Sequence, residues 1–203
     1  MKNFFRYLHS HLPLVLVIII ALTVAFVNID PQTYYSGWDN IHAEFDLGRY
    51  AKQVFFGAWL DRQALGAPAG QGHLSEIPRL PILFFLKLVL PDNLVRYVYI
   101  FSMYLIGGLG CYLFLSRIWL SQRLKKFKPW LASLGAVFYL LHLLTMQQFY
   151  ISFEMFMAHF AFLPFLLLLV HRLDKRFNAR SILLLLACNS LLPPAVTLPP
   201  FFI

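Results

Sequence analysis

Apolar residues fall in long blocks along this chain, separated by short polar stretches. The blocks are His11 to Val27, Leu94 to Leu115, Trp130 to Met146, Phe156 to Val170 and Ser181 to Leu192. Each is near the length that a helix needs to cross about 30 Å of hydrocarbon. Hydrocarbon offers the backbone no outside hydrogen-bond partner, so helices are the expected spanning form. The pattern predicts an all-α, polytopic membrane helix bundle of about five spans, at 12–28, 94–116, 130–146, 155–170 and 181–203. A long external first loop, 29–93, carries amphipathic helices.

One apolar segment decides the topology. "LPILFFLKLVL", Leu80 to Leu90, is short, contains Lys87, and is bounded by Pro81 and Pro91. It suits an interfacial or re-entrant helix better than a span. If it does not cross, one side holds Lys2, Arg6, Arg117, Arg123, Lys125, Lys126, Lys128, Arg172, Lys175, Arg176 and Arg180 against Asp174 alone. The remaining six of the 17 Lys and Arg, and eight of the nine acids, lie opposite. The positive-inside rule favours this arrangement. It predicts an integral plasma (inner) membrane protein with a cytoplasmic N-terminus and the 29–93 loop outside.

Composition agrees with a membrane protein: 60% of residues are hydrophobic, well above the usual soluble share. The formal charge of +8 raises the question of nucleic acid. The basic residues border apolar runs instead of forming a basic face, so no nucleic-acid partner is expected. Cys111 and Cys188 fall inside predicted spans and read as small apolar side chains. Lys2 and Arg6 ahead of an apolar stretch imitate a signal peptide, but no small-x-small cleavage site precedes Asp30, so an uncleaved first span is expected. The apolar, proline-rich "LLPPAVTLPPFFI" closes the sequence without a polar tail and is read as the cut edge of a longer protein.

The external loop opens with "YYSGWDNIHAEFDLGRY", where Asp39, His42, Glu44, Asp46 and Arg49 crowd together. Asn40 to Leu60 reads as one amphipathic helix, with Asp39, His42, Asp46, Arg49 and Gln53 on one face and Leu47, Ala51, Val54 and Phe55 on the other. Asp39 suits its N-cap. His42 and Asp46 read equally as a solvated helix face. Acids and an imidazole at this spacing can also share a proton or a divalent ion, and a carboxylate at a membrane boundary is poorly solvated and suited to accept a proton. "ALGAPAGQGHLSEIPRLP" then runs irregularly and returns His73, Glu76 and Arg79 towards the membrane.

This layout resembles the membrane glycosyltransferases of the GT-C superfamily. "SGWDNIHAEFDLGRYAKQVFFGAWLDRQALG" is similar to the first external loop of bacterial enzymes of the arabinofuranosyltransferase and YfhO-like kind. "PRLPILFFLKLVLPDNLVRYVYIFSMYLIGGLGCYLFL" looks like their passage into the second span, and "LASLGAVFYLLHLL" with "HFAFLPFLLLLVHRL" like the third and fourth. The resemblance implies a polyprenyl-phosphate-linked sugar as donor, with membrane lipids as the other partners and an extracytoplasmic acceptor. It assigns the general base to Asp39 first, with Glu44 or Asp46 as second carboxylate, and inversion at the anomeric carbon. The leaving phosphate then needs cationic or metal support. Arg49, Arg62, Arg79 and Arg96 are external arginines able to grip it, and interface anchoring is the plain alternative for each. A divalent cation is left open.

Other residues carry weaker signals. His42 and His73 join the substrate-binding set, as do Glu154 and His159 at the outer mouth of the fourth span, where ionisable groups are costly and often functional. Gly107, Gly108 and Gly110 read as close helix contacts, and His142 as a packed histidine. Two further readings stand beside the enzyme: a transporter or flippase of lipid-linked sugars, and a non-catalytic membrane subunit or fragment. The nearly all-apolar spans disfavour a transporter.

Overall fold

The structure, a computed structural model, describes residues 2–36, 42–56, 59–60, 66–68, 76–118, 124, 126–151, 154–175 and 177–191. They form helices α1 (Lys2–Val27), α2 (Leu47–Phe56), α3 (Arg79–Val89), α4 (Asp92–Ile118), α5 (Lys128–Leu141), α6 (Leu143–Ile151), α7 (Glu154–Lys175) and α8 (Ala179–Ser190). A 3₁₀ turn covers Ala43–Phe45. The only pairing of strands among the described residues is a two-residue antiparallel one, Trp59–Leu60 (β1) with Ala67–Pro68 (β2).

Two helices are long and apolar enough to cross a membrane, Asp92–Arg117 and Phe156–Lys175, and α5 with α6 makes a third if that bent pair is one span. His11–Val27 and α8 are apolar but shorter. The surface matches a hydrocarbon surround: Leu134, Phe138, Leu143 and Leu183 are each at least 66% exposed. Such side chains need no covering in lipid, which is as apolar as they are.

α4 is the hub. Its small residues admit neighbours on two sides. A Cβ added to Gly107 meets the Phe160 ring of α7 at 2.3 Å, and one added to Gly110 meets Phe165 at 2.5 Å. Gly108 faces Leu140 of α5 in the same way, at 3.0 Å. Across the α4–α5 contact, Gly135 returns the favour by making room for Leu115, at 2.3 Å. These pairings make α4 and α7 parallel and α5 antiparallel to both. α1 packs antiparallel to α4, since Tyr97 donates to the Ala25 carbonyl near one end. Near the other end, Ser133 of α5 donates to the Pro13 carbonyl, 2.8 Å.

Irregular backbone in the bundle is matched by tyrosines. Pro164 lies inside α7 and has no N–H, so the Phe160 carbonyl lacks its helical donor. The Tyr139 hydroxyl supplies one at 2.9 Å. The expected third span does not run as one straight helix: it breaks at His142 and bends by 46° into α6. There the Leu140 carbonyl accepts from Tyr104 at 2.9 Å, while the Leu144 N–H turns to His142 Nδ1 at 3.3 Å. His142 therefore closes a break rather than packing within a continuous helix.

The loop also differs from expectation. Helix α2 begins at Leu47, not Asn40, and its cap is Asp46, whose Oδ1 accepts from the Arg49 N–H at 2.9 Å. The 3₁₀ turn before it breaks the register, so His42 is not on the face of α2. Leu47, Tyr50 and Val54 are the buried positions of α2. Helix α3 has 11 residues, about 16 Å at 1.5 Å per residue, and is too short to cross. It buries Leu80 and Leu83 and leaves Phe85, Leu88 and Val89 exposed.

Replacing Gly107 or Gly110 by leucine should lower stability by about 1–3 kcal/mol through overpacking against Phe160 or Phe165. Thermal melting in detergent reads this out. Gly48→Ala, where an added Cβ meets nothing closer than Asp46 Oδ1 at 3.5 Å, should leave the melting point unchanged or higher.

Candidate functional site

The acid-bearing end of the bundle holds a buried charged cluster. The 3₁₀ turn points Glu44 inwards, where it is 2% exposed. Arg96, in the second turn of α4, is 1% exposed and brings Nη1 to 3.9 Å from Glu44 Oε1. His42 sits between them. Its Nδ1 lies 2.8 Å from Glu44 Oε1 and 2.8 Å from Arg96 Nη1, and its Nε2 lies 3.3 Å from Nη1.

These distances fix the options for one proton. With the proton on Nδ1, His42 donates to Glu44 and Arg96 donates to Nε2. With Nδ1 bare, it accepts from Arg96 and Glu44 loses a donor. The first arrangement gives Glu44 Oε1 a donor, at the cost of setting the Nδ1 proton against Arg96 Nη1. Glu44 Oε2 is buried without a hydrogen-bond partner among the described residues. It is an acceptor held at the end of the apolar helix α4 with its lone pairs unused among the described residues.

Further cations close the cluster. Lys87 of α3 donates to the Glu44 carbonyl and lies 3.2 Å from Asp92 Oδ1. This tethers α3 to both the 3₁₀ turn and the start of α4. Arg79, 7% exposed, pairs with Glu76 at 2.9 Å and lies over the Tyr99 ring, 5.1 Å from its centroid. Tyr35 packs edge-on to Tyr97 at 5.8 Å between ring centres. Burial, with Tyr97 beside it, holds the Tyr35 phenol well above its usual range, and Arg96 opposes that only in part. Its hydroxyl is therefore protonated at neutral pH, and it too is buried without a partner among the described residues.

Of the residues singled out from sequence, His42 and Glu44 come together in this cluster. Asp46 caps α2, and Arg49 is exposed in that helix's first turn. Arg79 stands in its own pair with Glu76. His159 is half-buried within α7. Asp39, Arg62 and His73 lie outside the described residues, as does the Glu154 side chain. Arg96 was legible only as one of four external arginines, and Lys87 only as a charge interrupting an apolar helix. An arginine so near the start of an apolar span was the available signal, because such a charge needs a partner. Among the described residues, no group of three or more His, Cys, Asp and Glu is placed to hold a metal ion.

No family model matches the sequence, and neither a curated protein nor a solved structure matches it.

Arg96→Gln leaves Glu44 buried without its cation. It should cost about 3–5 kcal/mol, the range for breaking a buried pair from one side. Glu44→Gln with Arg96→Gln should cost less than the two single changes added. Melting of the four proteins in one detergent gives the coupling directly.

Proposed function

We propose that the chain is a membrane glycosyltransferase of the GT-C kind. It moves a sugar from a polyprenyl-phosphate donor to an extracytoplasmic acceptor in cell-envelope glycan synthesis. In this reading the chain crosses five times, at α1, α4, the α5–α6 pair, α7 and a fifth span that begins at α8; residues 192–203 of the expected fifth span lie outside the described residues. The N-terminus is cytoplasmic and the Glu44 cluster faces outwards.

The observation that carries the reading is Glu44: a buried carboxylate with an oxygen that has no partner among the described residues, beside an imidazole and a guanidinium, at one end of apolar helices. A carboxylate is suited to take the proton of an acceptor hydroxyl as that oxygen attacks the anomeric carbon. The bond from that carbon to the lipid phosphate breaks, and the phosphate leaves with its negative charge. Arg96 and Lys87 are the cations beside Glu44 that can steady that charge. Asp39, three residues before His42, is the first-choice base by resemblance, with Glu44 supporting or replacing it.

The test is transfer from a synthetic polyprenyl-phosphate sugar by the purified protein in vesicles. Asp39→Asn and Glu44→Gln should each lower transfer by about 10²-fold or more. Asp39→Asn should leave the melting point unchanged. Full transfer in both variants sinks the proposal, and a fall in melting point that accounts for the lost activity assigns the cluster to a non-catalytic subunit.

Orientation is checked separately. A cysteine at Tyr34, which is 52% exposed, should react with an impermeant thiol reagent in intact cells, and one at Lys175 only after lysis.

A further inference from the structure

The opposite end of the bundle carries a second feature that the transferase reading does not use. Helices α4, α7 and α8 leave a groove of about 360 Å³ between them. Its walls are apolar, with Leu113 from α4, Phe162, Phe165 and Leu169 from α7, and Ala187 and Cys188 from α8. Arg117 and Arg172 line the same groove from the last turns of α4 and α7. Beyond them a hollow of about 540 Å³ is lined by Lys175, Asn178 and Arg180. Arg172 and Leu184 belong to both, so the two spaces adjoin.

Charge makes this groove specific. Arg117, Arg172, Lys175 and Arg180 have no ion-pair partner among the described residues. The nearest acid in sequence is the exposed Asp174. Four cations around the mouth of an apolar slot, at the end of helices that span hydrocarbon, match one kind of molecule. It has an anionic head and an apolar tail lying along the helices.

We propose that this groove is a binding site for an anionic phospholipid of the leaflet that the basic end meets. One acyl chain lies against Phe162, Phe165, Ala187 and Cys188. The phosphate is held between the Arg117 and Arg172 guanidinium groups, whose planar forks suit its oxygens. Lys175 and Arg180 set the preference for a net negative headgroup. The volume lies within the range of ordinary ligand pockets, enough for part of a chain and not for a whole lipid. This site is separate from the outer cluster and stands whether or not sugar transfer is found.

The experiment places a photo-crosslinking side chain at Leu184, which is 42% exposed and lines both spaces, in the full chain in vesicles. In vesicles of phosphatidylglycerol and phosphatidylcholine, mass spectrometry should find a phosphatidylglycerol adduct enriched at least tenfold over its share of the mixture. Arg117→Gln with Arg172→Gln should lower that adduct by roughly tenfold or more, since each basic residue near an anionic surface is worth about fivefold in binding. Ala187→Trp, which fills the groove from an exposed position and leaves every charge in place, should lower it to a similar degree. Melting points of the variants check that they remain folded. Excess inorganic phosphate should not displace the adduct. Adducts in proportion to lipid composition, or no effect of Ala187→Trp, would mean ordinary surface attraction and overturn the proposal. An adduct to a peptide, from this chain or a second copy, would overturn it as well.

Discussion

Hydrocarbon cannot hydrogen-bond a stray carbonyl, and that constraint shapes the bundle more than any single apolar contact. Two carbonyls are set loose within it, Phe160 by Pro164 and Leu140 by the bend at His142. Each is met by a tyrosine hydroxyl from a neighbouring helix, Tyr139 and Tyr104, at 2.9 Å. The same two rings fill the space between helices: Tyr139 stacks on Phe160 at 4.2 Å, and Tyr104 meets Phe149 edge-on at 4.7 Å. Bends are thus tolerated where a partner can reach the freed backbone, as burial in protein allows. The glycines of α4 bring the helices close enough for those hydroxyls to arrive.

The charged cluster obeys the same rule with charges in place of carbonyls. A guanidinium at the start of an apolar helix needs an anion, and the only carboxylate brought against Arg96 among the described residues is Glu44, on a 3₁₀ turn some fifty residues away in sequence. A buried pair of this sort adds little net stability over apolar replacements, because both charges lose their water. Its consequence here is positional. It docks the 3₁₀ turn on α4, and Lys87 then draws in α3 through the Glu44 carbonyl and Asp92. A short helix with Phe85, Leu88 and Val89 exposed has little else to fix its place.

Much of the helix plan was legible in the sequence. The block from Leu94 to Leu115 became α4, and the proline-bounded Leu80–Leu90 stretch became a short helix, because length and apolarity act locally. The break at His142 was not legible: no proline or glycine marks it, and it depends on Tyr104 and on the His142 ring itself. The start of α2 was misplaced for a related reason. Asp39 and Asp46 are equally good cap residues by type, and only the tertiary pull on Glu44 separates the turn from the helix. Glu44 and His42 were readable as candidates from their crowding. Their partner Arg96 was readable only as a residue type, since a pairing across 54 positions leaves no periodic trace. The resemblance to GT-C enzymes spoke to the order of spans and loops, and no comparison with known proteins adds to it.

α4 joins the two ends. Arg96 near its start answers the buried carboxylate, and Arg117 in its last turn lines the apolar groove, about 32 Å further along at 1.5 Å per residue. α7 runs parallel to it in glycine-to-ring contact, so neither helix can tilt without moving Phe160 and Phe165 out of the spaces at Gly107 and Gly110. A lipid held against α7 and α8 at the basic end would therefore press on α7, which packs along α4, the helix that carries Arg96. Close packing transmits such a displacement instead of absorbing it, since a ring seated on a glycine has no slack. Any coupling between a lipid at the basic end and the cluster would run through the α4–α7 contact, where Gly107 seats the Phe160 ring.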